Sequence, residues 1–270
     1  GYDEVRQVVD TTLSQAQRMN APRAIALCQC FNGALEFQAG NWPRAEESLR
    51  ESVSLYREIG AASGEALARQ RLGHLLTARG RLDEALAVLD EGMVVAERAV
   101  MRAHCLARLY ATLARNRLEA GELDAAADAL YLGLEMSNRH GNCTTCDALL
   151  YPVAVSVRVA QDRLSDAEGF CRKMEQAAAE YGSQTWVAMA RQVHGELATA
   201  RGDYDEALAA FAEAIANFRA SGFKYEAARC LSATAEIHRR RATPSDRQKA
   251  AAAGREAKQI YQSLEVSGEP

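Results

Sequence analysis

Five stretches of the chain superimpose at almost constant spacing: AGNWPRAEESL, ARGRLDEALAVL, EAGELDAAADAL, AQDRLSDAEGFC and ARGDYDEALAAF. Each centres on a turn residue, Gly40, Gly80, Gly121, Asp162 or Gly202, so the steps are 40, 41, 41 and 40 residues. Five residues after each turn stands an alanine: Ala45, Ala85, Ala126, Ala167, Ala207. Nine after it stands Leu49, Leu89, Leu130, Cys171 or Phe211. Seven before it a small residue recurs (Gly33, Gly73, Ala114, Gly195), with Val155 the exception. A fixed period of this length constrains a fold more than any composition does. Each unit is too small to bury its apolar face alone and must stack on the next.

The apolar residues on either side of each turn recur at helical spacing. Glycine at the turn supplies the positive φ at which one helix ends. An aspartate, asparagine or nearby carboxylate then opens the next helix, where its charge suits the positive end of the helix dipole. The small residues let two antiparallel helices approach closely. The chain is therefore predicted to be all-α, a solenoid of about six antiparallel helical hairpins with a period near 40. Composition agrees: 48% of residues are apolar, 25% charged and only 6% aromatic, with five prolines. No apolar run approaches the ~20 residues of a membrane helix, and the polar opening GYDEVRQVVDTTLSQAQ is neither a signal nor a transit peptide. A net charge of −4 gives no general basis for holding nucleic acid, so neither nucleic acid nor membrane is expected as a partner. Seven cysteines in such a chain do not look like a secreted disulfide framework, and a reducing, cytoplasmic setting is expected.

The recurring small residue, turn glycine, alanine and large apolar residue resemble the tetratricopeptide repeat (TPR), whose resemblance implies a right-handed superhelix. It covers roughly residues 22–264. The period exceeds the usual ~34, so the helices are longer, and the family's terminal proline is absent. The whole chain, 1–270, reads as one repeat domain with units near 22–60, 61–100, 101–141, 142–182, 183–222 and 223–265. In the last unit the turn RATPSD lacks glycine, and Pro244 with Ser245 or Asp246 is expected to open the final helix. Residues 1–20 read as the second helix of a preceding unit, so the natural chain is expected to continue N-terminally. Ala- and Arg-rich phrases such as SLYREIGAASGEALARQRLGHLLTARGRLDEALAVL are similar to the repeat regions of large bacterial ATP-binding LuxR-type transcription regulators. That resemblance implies a sensor or interaction region beside an NTPase module and a helix-turn-helix. No phosphate-loop motif occurs in this sequence, and neither does HExxH, a nucleophile elbow or an EF-hand loop. No enzyme is expected.

In the repeat family the first helix of each pair lines the concave side, with its exposed positions about ten, six and three residues before the turn. These positions yield a polar group of Gln70, His74 and Arg115, and a more acidic one of Gln192, Glu196 and Glu236. They are the candidate groove for a protein, peptide or small-molecule effector. Cys30 also falls on this inner side. The tract HRRR at 238–241 is a basic patch at a helix end, where cations suit the dipole.

The stretch HGNCTTCDALLYP (140–152) departs from the repeat in chemistry. Cys171, Cys28 and Cys230 fall on core positions. Cys105 and Cys146 each lie sixteen residues before their turns, in neighbouring first helices. With His104 and Cys143 they form a candidate thiol or metal cluster, to which His140 would add a further nitrogen. No cofactor is required by the sequence, but zinc or another thiophilic ion would suit such ligands. Three readings stand open: a metal site, a dithiol switch, and a thiol-containing helix start capped by Thr144 or Thr145. Pro152 falls inside the expected first helix, where it removes a hydrogen bond and crowds the Ala148 carbonyl, so a kink or a separate turn is expected there.

Overall fold

The computed structural model describes residues 2–141 and 143–266; Gly1, Asn142 and 267–270, which the sequence pattern takes into its domain and motif, lie outside the described residues. Among the described residues there are thirteen α-helices and no strand. A first helix, α1 (Tyr2–Arg18), precedes six pairs. The pairs are α2 (Pro22–Ala39) with α3 (Trp42–Glu58), α4 (Ala62–Ala78) with α5 (Leu82–Ala96), and α6 (Arg102–Glu119) with α7 (Leu123–His140). They continue with α8 (Thr144–Ala160) and α9 (Leu164–Tyr181), α10 (Gln184–Arg201) and α11 (Tyr204–Ala220), and α12 (Lys224–Arg241) and α13 (Pro244–Ser263). Two compact units result, Gly1–Cys146 and Asp147–Pro270.

The turns behave as their residues dictate. The four turn glycines have φ between 77° and 87°, and Asp162 adopts φ 58° in the same place. A short polar side chain is among the few that tolerate this region. In the last hairpin, Ala242 takes φ 57° and Thr243 caps α13, its Oγ1 accepting the Asp246 N–H at 3.1 Å, with Pro244 as the first helical residue. The cap is therefore Thr243, one residue before the Pro-Ser-Asp group expected to open the helix.

The small and large residues of the repeat meet across each hairpin. A Cβ on Gly33 would lie 2.5 Å from Leu49 Cγ, one on Gly73 2.6 Å from Leu89 Cδ2, and one on Gly195 2.9 Å from Phe211 Cε1. Leu49, Leu89, Leu130 and Phe211 are all fully buried. Each buried leucine contributes roughly 1.5–3 kcal/mol; opposite Leu49 and Leu89 the absence of a side chain lets it in, and opposite Leu130 the small Ala114 does so. The fourth hairpin inverts the sizes: Val155 stands where the others have glycine or alanine, and its counterpart is the smaller Cys171, both buried in one core cluster. The two irregularities are one compensated pair.

Pro152 does not break its helix. α8 is a single helix from Thr144 to Ala160 with Pro152 inside it, so CTTCDALLY is not a separate turn. The Ser156 hydroxyl lies 3.2 Å from the Pro152 carbonyl, in the turn that follows the proline.

Gly73→Val should destabilise the protein by about 1–3 kcal/mol through overpacking against Leu89. The double substitution Gly73→Val/Leu89→Cys, which copies Val155 and Cys171, should recover part of that loss. Gly169→Ala, in α9 where an added Cβ meets nothing within 4 Å, should stabilise by about 0.5–1 kcal/mol. Chemical denaturation of the four proteins checks all three signs.

Candidate functional site

In the first unit, α2, α4 and α6 pack side by side, and α3, α5 and α7 make no comparable contact with one another among the described residues. The second helices instead reach each other through ion pairs between long side chains, Arg50–Glu84 at 2.5 Å and Arg57–Glu91 at 3.8 Å. First helices thus form the tighter layer in this unit. Their polar side chains are largely used between helices. Gln70 is 3% exposed, and its Nε2 donates to Thr112 Oγ1 at 2.8 Å. Asn116 Nδ2 donates to Thr77 Oγ1 at 3.3 Å and to the Leu82 carbonyl at 3.1 Å. Arg71 donates to the Cys30 carbonyl at 2.9 Å and lies 5.0 Å over the Phe31 ring. His74 packs on Phe37 with ring centroids 5.0 Å apart. Arg115 is half-buried and approaches Glu119 at 3.7 Å. Cys30, expected on the open inner side, is buried at 6%.

In the second unit Glu196 is the hub. Ser156 Oγ donates to one of its oxygens at 2.7 Å, and Gln192 Nε2 approaches the other at 3.4 Å, with Gln192 itself 7% exposed. Glu236 pairs instead with Arg239 and Arg240, at 2.9 and 3.0 Å, which hold its carboxyl below the usual range. The basic tract is accordingly neutralised. Arg241 donates to Asp205 at 2.5 Å. His238 Nδ1 lies 2.8 Å from Asp246 Oδ1, both side chains buried.

The sequence gives little sign of one further polar site. Gln29 Nε2 donates to Glu51 at 2.6 Å, Asn41 to Glu36 at 2.6 Å, and Arg6 pairs with Glu36. Of these, Arg6, Gln29, Glu36 and Glu51 line a recess of about 390 Å³ among α1, α2 and α3. The Gln29 Oε1 is buried without a hydrogen-bond partner. Only the excess of polar residues on the first hairpin's inner side could have pointed to it.

The thiol group is assembled by two helix starts. Cys143 directly precedes α8 and acts as its cap: the Cys146 N–H donates to Cys143 Sγ at 3.3 Å and to its carbonyl at 2.8 Å. Sulfur rather than Thr144 or Thr145 therefore does the capping; Thr145 Oγ1 sits 3.3 Å from Cys143 Sγ. From α6, His104 Nδ1 lies 3.3 Å from Cys143 Sγ and 3.2 Å from Cys146 Sγ. The three ligand atoms lie within 4.8 Å of one another. Burial foremost, then Arg108 and His140, pulls the His104 pKa below its ordinary value. The His140 ring lies 5.1 Å from that of His104 and is exposed. Arg108 donates to the Thr145 carbonyl at 3.1 Å.

Cys105 does not join them. It is fully buried, its thiol donates to the Ser63 carbonyl of α4 at 3.8 Å, and burial pushes its pKa to about 11. The remaining cysteines are core residues, free of disulfides. Burial raises Cys171 to about 12 and Cys230 well above its ordinary value, so both are inert thiols.

A family model described as the MalT-like TPR region matches residues 12–269. No curated protein matches the chain. Among solved structures, a Rap protein complexed with Competence and Sporulation Factor is similar with a TM-score of 0.72 and 15% identity. The match covers 90% of this chain and 65% of the Rap chain, so this chain spans less than two thirds of that protein's length. BtubC (BKLC) from P. vanneervenii is similar with a TM-score of 0.53 and 19% identity, over 88% of this chain and 94% of that one. At these identities the likeness is one of fold. No helix among the described residues is long and apolar enough to cross a membrane.

Two outcomes test these contacts. Thr112→Val strands the buried Gln70 amide and should cost about 1–3 kcal/mol. Gln70→Leu/Thr112→Val should cost less than the sum of its single changes, read by a double-mutant cycle. Hydrogen bonds from Thr243 first, and then His238, hold the Asp246 pKa below its ordinary 3.8. Its stabilisation is therefore full above that value and lost as pH falls through the lowered one. Asp246→Asn should lower Tm at pH 7, and the gap should narrow in acid melts below about pH 4.

Proposed function

The chain belongs to the MalT-like TPR region family, and from that premise we propose that it is the non-catalytic sensor and interaction region of a larger bacterial transcription regulator, working in the cytoplasm. Its partner is a peptide, protein segment or small effector bound against the layer of first helices. The observation that carries the reading is the division of labour in that layer. Gln70, Thr77, Thr112 and Asn116 are used in joining helices. His74, Arg115 and Glu196 remain half-exposed on the same inner positions of the repeat. The Rap protein solved with Competence and Sporulation Factor supports the view that a fold of this kind holds a bound factor.

A stack whose contacts run between neighbouring hairpins responds to such a ligand by small changes at each junction. A ligand that prefers one arrangement shifts the population toward it by its differential affinity, and no more. Nothing in this mechanism asks the chain for chemistry. The charged residues at inner positions serve to select, each within its own unit: in the first, Arg115 favours an anionic group on a ligand, and in the second, Glu196, already accepting from Ser156, favours a donor.

The test is a reporter driven by the full-length regulator. Arg115→Ala and Glu196→Gln, the latter keeping an oxygen to accept from Ser156, should each reduce the response to inducer by about tenfold, the equivalent of ~1.4 kcal/mol of binding, with Tm little changed. An unaltered response from both variants, or a natural reading frame with neither an NTPase module nor a helix-turn-helix beside this region, would overturn the proposal.

A further inference from the structure

We infer that His104, Cys143 and Cys146 form a binding site for one soft divalent metal ion of the zinc class, with an open fourth position. Three observations carry it. The donor set is two thiols and an imidazole nitrogen, the ligands that such ions select over hard cations. They come from two helices far apart in sequence and converge at 3.2–3.3 Å between sulfur and nitrogen. A tetrahedral ion with bonds of ~2.3 Å to sulfur and ~2.0 Å to nitrogen needs about 3.5 Å between sulfur and nitrogen and about 3.8 Å between the sulfurs; the sulfur–nitrogen distances lie within a few tenths of an ångström of this, and all three atoms lie within 4.8 Å of one another. Finally, the site is built rather than accidental. Cys146 is fully buried, Cys143 is fixed as the cap of α8, and Arg108 pins the same first turn through the Thr145 carbonyl.

The electrostatics also suit an ion. Arg108 has no carboxylate partner among the described residues; the charged and ionisable groups near it are Arg71, a like charge, and the Cys146, Cys143 and Cys105 sulfurs. Two thiolates, a neutral imidazole and a divalent cation sum to zero charge, which is the least costly state to hold in a half-buried place. Binding releases the two thiol protons to solvent, so affinity rises with pH. Cys143 is half-exposed, so water can supply the fourth ligand. Bound metal would clasp the first turn of α8 to the start of α6.

The experiment uses the reduced protein freed of metal by a chelator and titrated with Zn²⁺ against a chromophoric competitor, then with Co²⁺ for its thiolate charge-transfer band. One equivalent per chain is expected, with a rise in Tm and slowed alkylation of Cys143. Cys143→Ala and His104→Ala should weaken binding at least about 100-fold, exceeding what loss of an outer partner costs, and should abolish the metal-dependent rise in Tm. Cys105→Ala should bind as tightly as wild type. Melts without metal show whether each variant is folded; because Cys143 is not a core residue, its alanine variant should be. No saturable Zn²⁺ binding by the reduced protein, or binding unchanged in folded Cys143→Ala, would overturn the inference. So would a Cys143–Cys146 disulfide formed in air by a protein that retains no metal when reduced, which marks the pair as redox-active instead.

Discussion

The close approach of two helices at one point, between residues sixteen apart in sequence, is what the rest of the structure depends on. At Gly33–Leu49, Gly73–Leu89 and Gly195–Phe211 there is no room for a single additional carbon. That contact fixes how far each helix is rotated about its own axis. The rotation decides which side chains enter the hairpin core, which meet the next hairpin and which reach solvent. Interiors packed to crystal-like density transmit such a constraint. The fourth hairpin shows that the requirement is on the pair rather than on glycine, since Val155 with Cys171 meets it by exchanging sizes. It also explains a cysteine. Cys171 is there for its volume, and its depth makes it a poor nucleophile.

The same rotation sets the second layer of interactions. Once the leucines point inward, the residues on the flank of each first helix face the neighbouring first helix. A buried polar group there must find a partner or lose its share of solvation. Gln70 with Thr112, and Thr77 with Asn116, are the result. Inner-face polarity therefore has two uses that a repeat pattern alone does not separate: joining helices and meeting a ligand. Burial differs along this face: Gln70 is buried and joins α4 to α6, Gln192 is buried and reaches Glu196 of its own helix, and His74, Arg115 and Glu196 stay half-exposed, with Glu196 also tied to Ser156 of α8.

The architecture was legible because it rests on spacing. Helix pairs, turns and the buried alanine and leucine positions repeat with the period, and a period can be read from letters. The breaks in the pattern were less legible. Pro152 stands inside α8, yet the helix continues through it, because a long, largely apolar helix packed into its neighbours can absorb one missing hydrogen bond. The HRRR tract reads as a cationic patch, but Glu236, Asp205 and Asp246 neutralise it, and Asp205 comes from a different helix that local sequence does not bring to mind. The Gln29 recess depends on three helices meeting, so no single stretch announces it.

The cysteines show most clearly where reading by register goes astray and how it can be put right. Cys105 and Cys146 hold the same place, sixteen residues before their turns, and the sequence suggests that they face each other. Stacked repeats are related by displacement, so equivalent side chains point the same way and cannot meet. Each looks back to a non-equivalent position of the preceding first helix, seventeen residues before that helix's own turn. For Cys105 this is Ser63, whose carbonyl accepts the thiol. For Cys146 it is His104, whose imidazole nitrogen lies 3.2 Å away. One and the same register is thus an ordinary helix contact at Ser63 and a gathering of metal-ligating atoms at His104. The change from serine to histidine, with Cys143 added at the head of α8, makes the difference. A serine-to-histidine change at a fixed register is visible in the sequence. Its meaning emerges when each residue is set beside the position it packs on in the neighbouring repeat, and not only beside the position it matches there.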